Sequence, residues 1–133
     1  MATAWLIRRF IDPQAEFIFV EPDQVAVVQT QQGAKGFDAP EASYPHKDEQ
    51  GRCSFEALVD EYCSGDPVLK QIARVVRGAD FPEEIELTKE SAGVRAISHG
   101  FPLVACDDAE TVEKAGFLYD ALYASLQAEW RRT

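Results

Sequence analysis

Asp66-Pro67-Val68-Leu69-Lys70-Gln71-Ile72-Ala73-Arg74-Val75-Val76-Arg77-Gly78 is the most decisive stretch of this 133-residue chain. An Asp cap, Pro at the first helical position and a Gly stop bracket a stripe of Val68, Leu69, Ile72, Val75 and Val76, which predicts a buried amphipathic helix. Lys70, Arg74 and Arg77 fall on or near its wet side. On the N-terminal side, Ser54 reads as the cap of another helix, with Phe55, Leu58, Val59 and Tyr62 at helical spacing and Gly65 as its end. On the C-terminal side, an acidic turn from Asp80 to Glu86 leads into a helix over about Lys89–Ser98, with Gly100 and Pro102 beyond it. His99 then reads as a helix-end or surface group. The last helix is long. Asp107 or Asp108 caps it, and Val112, Ala115, Tyr119, Leu122, Leu126 and Trp130 share one face.

Further out, Leu6, Ile7, Phe10 and Ile11 predict a short helix stopped by Pro13, with Arg8 and Arg9 on its other face. Glu16-Phe17-Ile18-Phe19-Val20 is a β-type run closed by Pro22, and its near-continuous apolarity suggests a covered strand. Asp23 to Gln32 reads as a helix stopped by Gly33, although Val25, Val27 and Val28 would also suit a strand. From Gly33 to Gly51 the chain is loop-rich, with short strands expected around Lys35–Asp38 and Ala42–His46. The expected fold is therefore α+β: a mainly helical single domain over residues 1–133 with a small β-sheet. A bundle with no real sheet is the alternative.

Thirteen Lys and Arg against 23 Asp and Glu leave a net charge of −10, and the isoelectric point is near 4.6. Such a surface repels phosphate backbones and anionic lipid, so neither nucleic acid nor membrane is an expected partner. With 46% hydrophobic and 11% aromatic residues, the chain has enough apolar surface to form a core. No apolar run approaches the ~18 residues of a membrane span. The apolar N-terminal residues precede Arg8 and Arg9, the reverse of a signal peptide, so a cytoplasmic location is expected. Cys53, Cys63 and Cys106 agree with that, being an odd set with no CxxC spacing.

Few groups invite chemistry. His46, Asp48, Glu49 and Cys53 lie within eight residues. Imidazole, carboxylate and thiolate are donors a divalent metal accepts: zinc or copper if sulfur binds, iron or manganese if only nitrogen and oxygen do. The same residues also read as a solvated acidic loop followed by a core cysteine. Asp80 could complete such a site or pair with Arg77 on the surface. Arg8, Arg9, Arg74 and Arg77 offer guanidinium forks that suit a tetrahedral oxyanion, or else they meet the protein's own carboxylates. Cys106 sits before a helix N-terminus, which would lower its pKa, but Asp107 and Asp108 oppose that.

Several stretches resemble the C-terminal domain of the chromate-resistance regulator ChrB, a family also found fused to rhodanese-like domains. They are Trp5-Leu6-Ile7-Arg8-Arg9-Phe10-Ile11-Asp12-Pro13-Gln14-Ala15-Glu16-Phe17, Cys53-Ser54-Phe55-Glu56-Ala57, Val76-Arg77-Gly78-Ala79-Asp80 and Leu118-Tyr119-Asp120-Ala121-Leu122-Tyr123-Ala124, in the family's order. The resemblance implies a sensing or accessory domain in chromate resistance. His46, Glu49 and Cys53 match a family His-x-x-Glu-x-Cys-Ser-Phe pattern, with the Glu-to-Cys interval two residues longer here. Asp80 matches its Arg-Gly-Ala-Asp. The family's Asp-Asp-His reads Asp107-Asp108-Ala109, so one imidazole is missing. Family members also begin further upstream with a basic segment, and the DNA-binding or rhodanese partner domain is not in this sequence. A free-standing form is therefore not expected to be a DNA-binding repressor itself.

Three functions follow as expectations. The first is a ligand-binding module for a stress response, taking chromate or a related anion on Arg8, Arg9 and Arg77, or a metal ion on His46, Glu49, Cys53 and Asp80. It would work with a regulator or rhodanese-like protein. The second is a small metal-dependent enzyme, hydrolytic or redox, in which zinc, iron or manganese activates water. The third is a structural relative that has lost the site and carries no cofactor. Whether any reaction is catalysed stays open at this point.

Overall fold

Helix α4 (Pro67–Asp80) forms the centre of the computed structural model, which describes residues 1–133. Its start is built as the sequence predicts. The Asp66 carboxylate accepts from the backbone N–H of Val68 at 2.9 Å and of Leu69 at 3.1 Å, with Pro67 in the first turn. Val68, Leu69, Ile72, Val75 and Val76 are all buried. Helices α3 (Ser54–Tyr62), α5 (Ser91–Val104) and α6 (Asp108–Arg132) each pack directly on α4. Helix α1 (Ala2–Leu6), prolonged by a wider π turn over Ile7–Ile11, closes the core against α3 and α6. Helix α2 (Val25–Gln32) lies outside it, buries no residue fully, and stops at Gly33 with φ 66, as its sequence predicts.

An aromatic cluster locks α1 into place. The Trp5 ring stacks on Phe55 at 6.4 Å and meets Tyr119 at 5.5 Å and Phe10 at 5.4 Å. Its indole N–H donates to Asp120 at 2.9 Å, which satisfies the one polar atom of a buried side chain. Tyr123 donates its hydroxyl to the second oxygen of Asp66 at 2.9 Å, so the α4 cap is also a tie to α6.

The structure overturns the α+β expectation: the fold is all-helical, and its one β contact is an isolated parallel bridge between Phe37 and Tyr44. The segment Glu16–Val20, expected as a strand, has no regular secondary structure and makes no backbone–backbone hydrogen bond. A strand needs a partner edge along its length, and the one bridge in the fold joins Phe37 to Tyr44 and leaves this segment unpaired. The apolar side chains of this segment instead line a surface cavity, which leaves Ile18 and Phe19 about half exposed.

Three local signals also resolve differently. Helix α4 runs past Gly78 to Asp80, because Gly78 is a packing residue. A Cβ there would come within 2.8 Å of the Cβ of Ser91, which is fully buried on α5 and donates its hydroxyl to the Val75 carbonyl at 2.9 Å. Helix α5 begins at Ser91 and absorbs Gly100 and Pro102, so His99 lies inside it on an exposed face. The proline falls in the last turn, where its missing N–H forgoes one ladder bond, to the Ser98 carbonyl. The cap of α3 is Cys53 rather than Ser54. The Cys53 backbone N–H donates to Glu56 at 3.1 Å, and the Glu56 N–H points back at the sulfur in a reciprocal capping box.

Candidate functional site

Ser54, freed from capping, organises the candidate site. Its hydroxyl is buried between two loop segments, 2.8 Å from the Tyr44 carbonyl and 2.9 Å from the Pro45 carbonyl, and it accepts the N–H of Asp38 at 3.0 Å. The Asp38 N–H also reaches the Tyr44 carbonyl at 2.8 Å. These bonds bring Asp38 beside His46, and one Asp38 carboxylate oxygen lies 2.8 Å from His46 Nδ1. The His46 ring packs nearly perpendicular to the buried Phe81 ring, with centroids 5.4 Å apart.

Phe81 follows Asp80, the last residue of α4, so the helix end delivers a carboxyl to the same place. Burial raises the pKa of Asp80 from its ordinary 3.8 to about 6, and the charge of Asp38 adds to that rise. His46, the Met1 amino group and Arg95 pull in the opposite direction. Arg95 is fixed by a 2.8 Å bond to the Ala79 carbonyl. The Met1 amine is itself buried, which lowers its pKa against the opposing charges of Asp38, Asp80 and Asp108. Imidazole, three carboxylates, one amine and one guanidinium thus share one electrostatic neighbourhood.

The four residues expected to bind metal are separated by the fold. His46 and Asp80 interact electrostatically, with no hydrogen bond or ion pair between them. Cys53 is fully buried under the cap of α3, and burial pushes its thiol up to about 12, far from the thiolate that a metal needs. Glu49 is exposed and makes no hydrogen bond or ion pair, while the neighbouring Asp48 is consumed by Arg52 and the Gln50 N–H. No three His, Cys, Asp and Glu side chains converge tightly enough to cage a metal ion. That arrangement does not fit tetrahedral zinc.

The three arginines expected to bind an anion already have partners. Arg77 bridges Glu56 at 3.0 Å and Glu84 at 3.0 Å and lies over Phe81. Arg8 donates to the Ala15 carbonyl at 3.3 Å and lies over Phe17, and Arg9 pairs with Asp120 at 3.5 Å. Arg77 shares no partner with the other two.

Sequence reasoning missed Asp38, Ser54, Arg95 and Asp108. Asp38 and Asp108 also line the acidic end of a cavity of about 430 Å³ whose walls include Phe17, Phe19, Val28 and Phe37. Ser54 and Asp108 stand in family stretches that read as helix caps, and no local motif marks Asp38 or Arg95, because each acts through a partner distant in sequence.

Comparison with known proteins adds the lineage. A family model described as "ChrB, C-terminal domain" matches residues 1–126. Protein ChrB of Cupriavidus metallidurans is 30% identical over 133 residues, which covers 99% of this chain and 39% of that protein. The chain therefore spans well under half the length of this relative. No solved structure matches.

Proposed function

The chain belongs to the ChrB C-terminal domain family, and from that premise we propose that it is a ligand-binding module of a chromate-resistance system whose ligand is a hard divalent cation. His46 and Asp80 are the donor residues, with water completing the coordination. The observation that carries this reading is the Asp38–His46 pair with Asp80 in its electrostatic neighbourhood, from two loop segments and a helix end, while Arg8, Arg9 and Arg77 are already engaged. A net charge of −10 further favours a cation over a chromate-like dianion. With Cys53 sealed in the core, manganese or iron(II) fits the available donors better than zinc or copper.

A ligand that binds the folded state alone raises its thermal stability. The test is a melting series with manganese(II), zinc, chromate and sulfate on the intact chain, repeated with Asp80→Asn and His46→Ala. Manganese should raise Tm in the parent chain and lose that effect in both variants. A rise with chromate that disappears in an Arg8→Ala, Arg9→Ala double variant would overturn the cation reading and replace it with an anion site.

A further inference from the structure

We propose that Asp38 is a positioning residue that holds the His46 ring with Nδ1 protonated, so that Nε2 is the atom offered to a ligand. The proposal deepens the functional reading above and rests on it for the word ligand, but its geometry stands without one. A carboxylate can only accept, so an Asp38 oxygen 2.8 Å from His46 Nδ1 requires the proton to sit on that nitrogen. The lone pair of the neutral ring is then on Nε2.

Both side chains are about half exposed, and an exposed pair of this kind is ordinarily weak because water competes and two side chains must be ordered. Here the backbone does that ordering. Asp38 has φ 59, a left-handed conformation that non-glycine residues seldom adopt. It is held there by the bonds from its N–H to the Tyr44 carbonyl and to Ser54. The same buried Ser54 hydroxyl binds the carbonyls of Tyr44 and Pro45, immediately before His46. One side chain from α3 thus sets the register between Asp38 and His46, and the Phe81 ring packs nearly perpendicular to the imidazole. A residue held in a strained conformation so that it can orient an imidazole beside a buried carboxyl is how sites store preorganisation.

The test reads the tautomer directly. Ring ¹⁵N shifts of the intact, metal-free chain are recorded in alkaline solution, where imidazoles are neutral. There are only two histidines, and His99→Gln assigns the signals. His46 should show a protonated Nδ1 and an unprotonated Nε2. Asp38→Gly, whose backbone accepts φ 59 without strain, should scramble this pattern while the chain stays folded, and Ser54→Ala should weaken it. A wild-type ring protonated on Nε2, or a pattern unchanged in Asp38→Gly, would overturn the proposal. The parent spectrum decides the first point even if a variant fails to fold. Correct tautomer without manganese binding would reject the functional reading alone.

Discussion

Asp80 is the residue whose placement costs stability. Its folded pKa of about 6 lies above the ordinary 3.8, so the folded chain binds this proton more tightly than the unfolded chain does. Below 3.8 both states are protonated and there is no penalty. Between pH 3.8 and about 6 the penalty grows, and above that it stays constant, with an upper bound of about 3 kcal/mol. Asp80→Asn should therefore stabilise the chain above pH 6, by roughly 1–3 kcal/mol, and change little below 3.8. Urea titrations of both proteins across that range would check it, and equal stabilities at neutral pH would contradict it. At this scale the sequence was only partly legible. His46 and Asp80 stand in recognisable local surroundings and fall within one electrostatic neighbourhood. Asp38 and Ser54 were invisible as site residues, since a left-handed backbone and a hydroxyl shared between two segments leave no spacing pattern. Cys53 showed the converse: a thiol beside His and Glu in sequence became a helix cap in the core.

At the level of helices, Gly78 separates two opposed effects. Gly to Ala inside a helix ordinarily gains about 1 kcal/mol from backbone entropy. At Gly78 the new methyl would collide with the buried Ser91 side chain and the Glu84 carbonyl. Overpacking of that kind costs about 1–3 kcal/mol, so Gly78→Ala should lower stability despite its better propensity. Denaturant midpoints of Gly78→Ala and of Gly78→Ala with Ser91→Gly would test this. The double variant should recover part of the loss, and a stabilised single variant would show that α4 and α5 are not in close contact. This glycine also explains the misplaced helix end, because a stop signal and a close-packing signal are the same letter. The other helices were legible where caps and apolar spacing are local, as at Asp66, Pro67 and Gly33. Glu16–Val20 was not, since β-type composition reports burial appetite and cannot say whether a partner edge exists.

The whole molecule is a set of helices around α4 with an acidic surface, and Asp38, His46, Asp80 and the Met1 amine share one electrostatic neighbourhood. Its helical class was available as the alternative reading, because every strong signal in the sequence was helical. The sheet rested on apolar runs without turn chemistry between them. What brings the site together is long-range: α3 supplies Ser54, the end of α4 supplies Asp80, the start of α6 supplies Asp108, and the loop around residues 38 to 46 supplies the rest. The measurement that tests this account most directly is a manganese(II) titration followed by ¹H–¹⁵N NMR. Paramagnetic broadening should spread first from the amides of Asp38, His46 and Asp80, and it should vanish in the Asp80→Asn, His46→Ala double variant. Broadening centred on the exposed acidic loops, or unchanged in that variant, would show that the cluster is not where the chain binds its ligand.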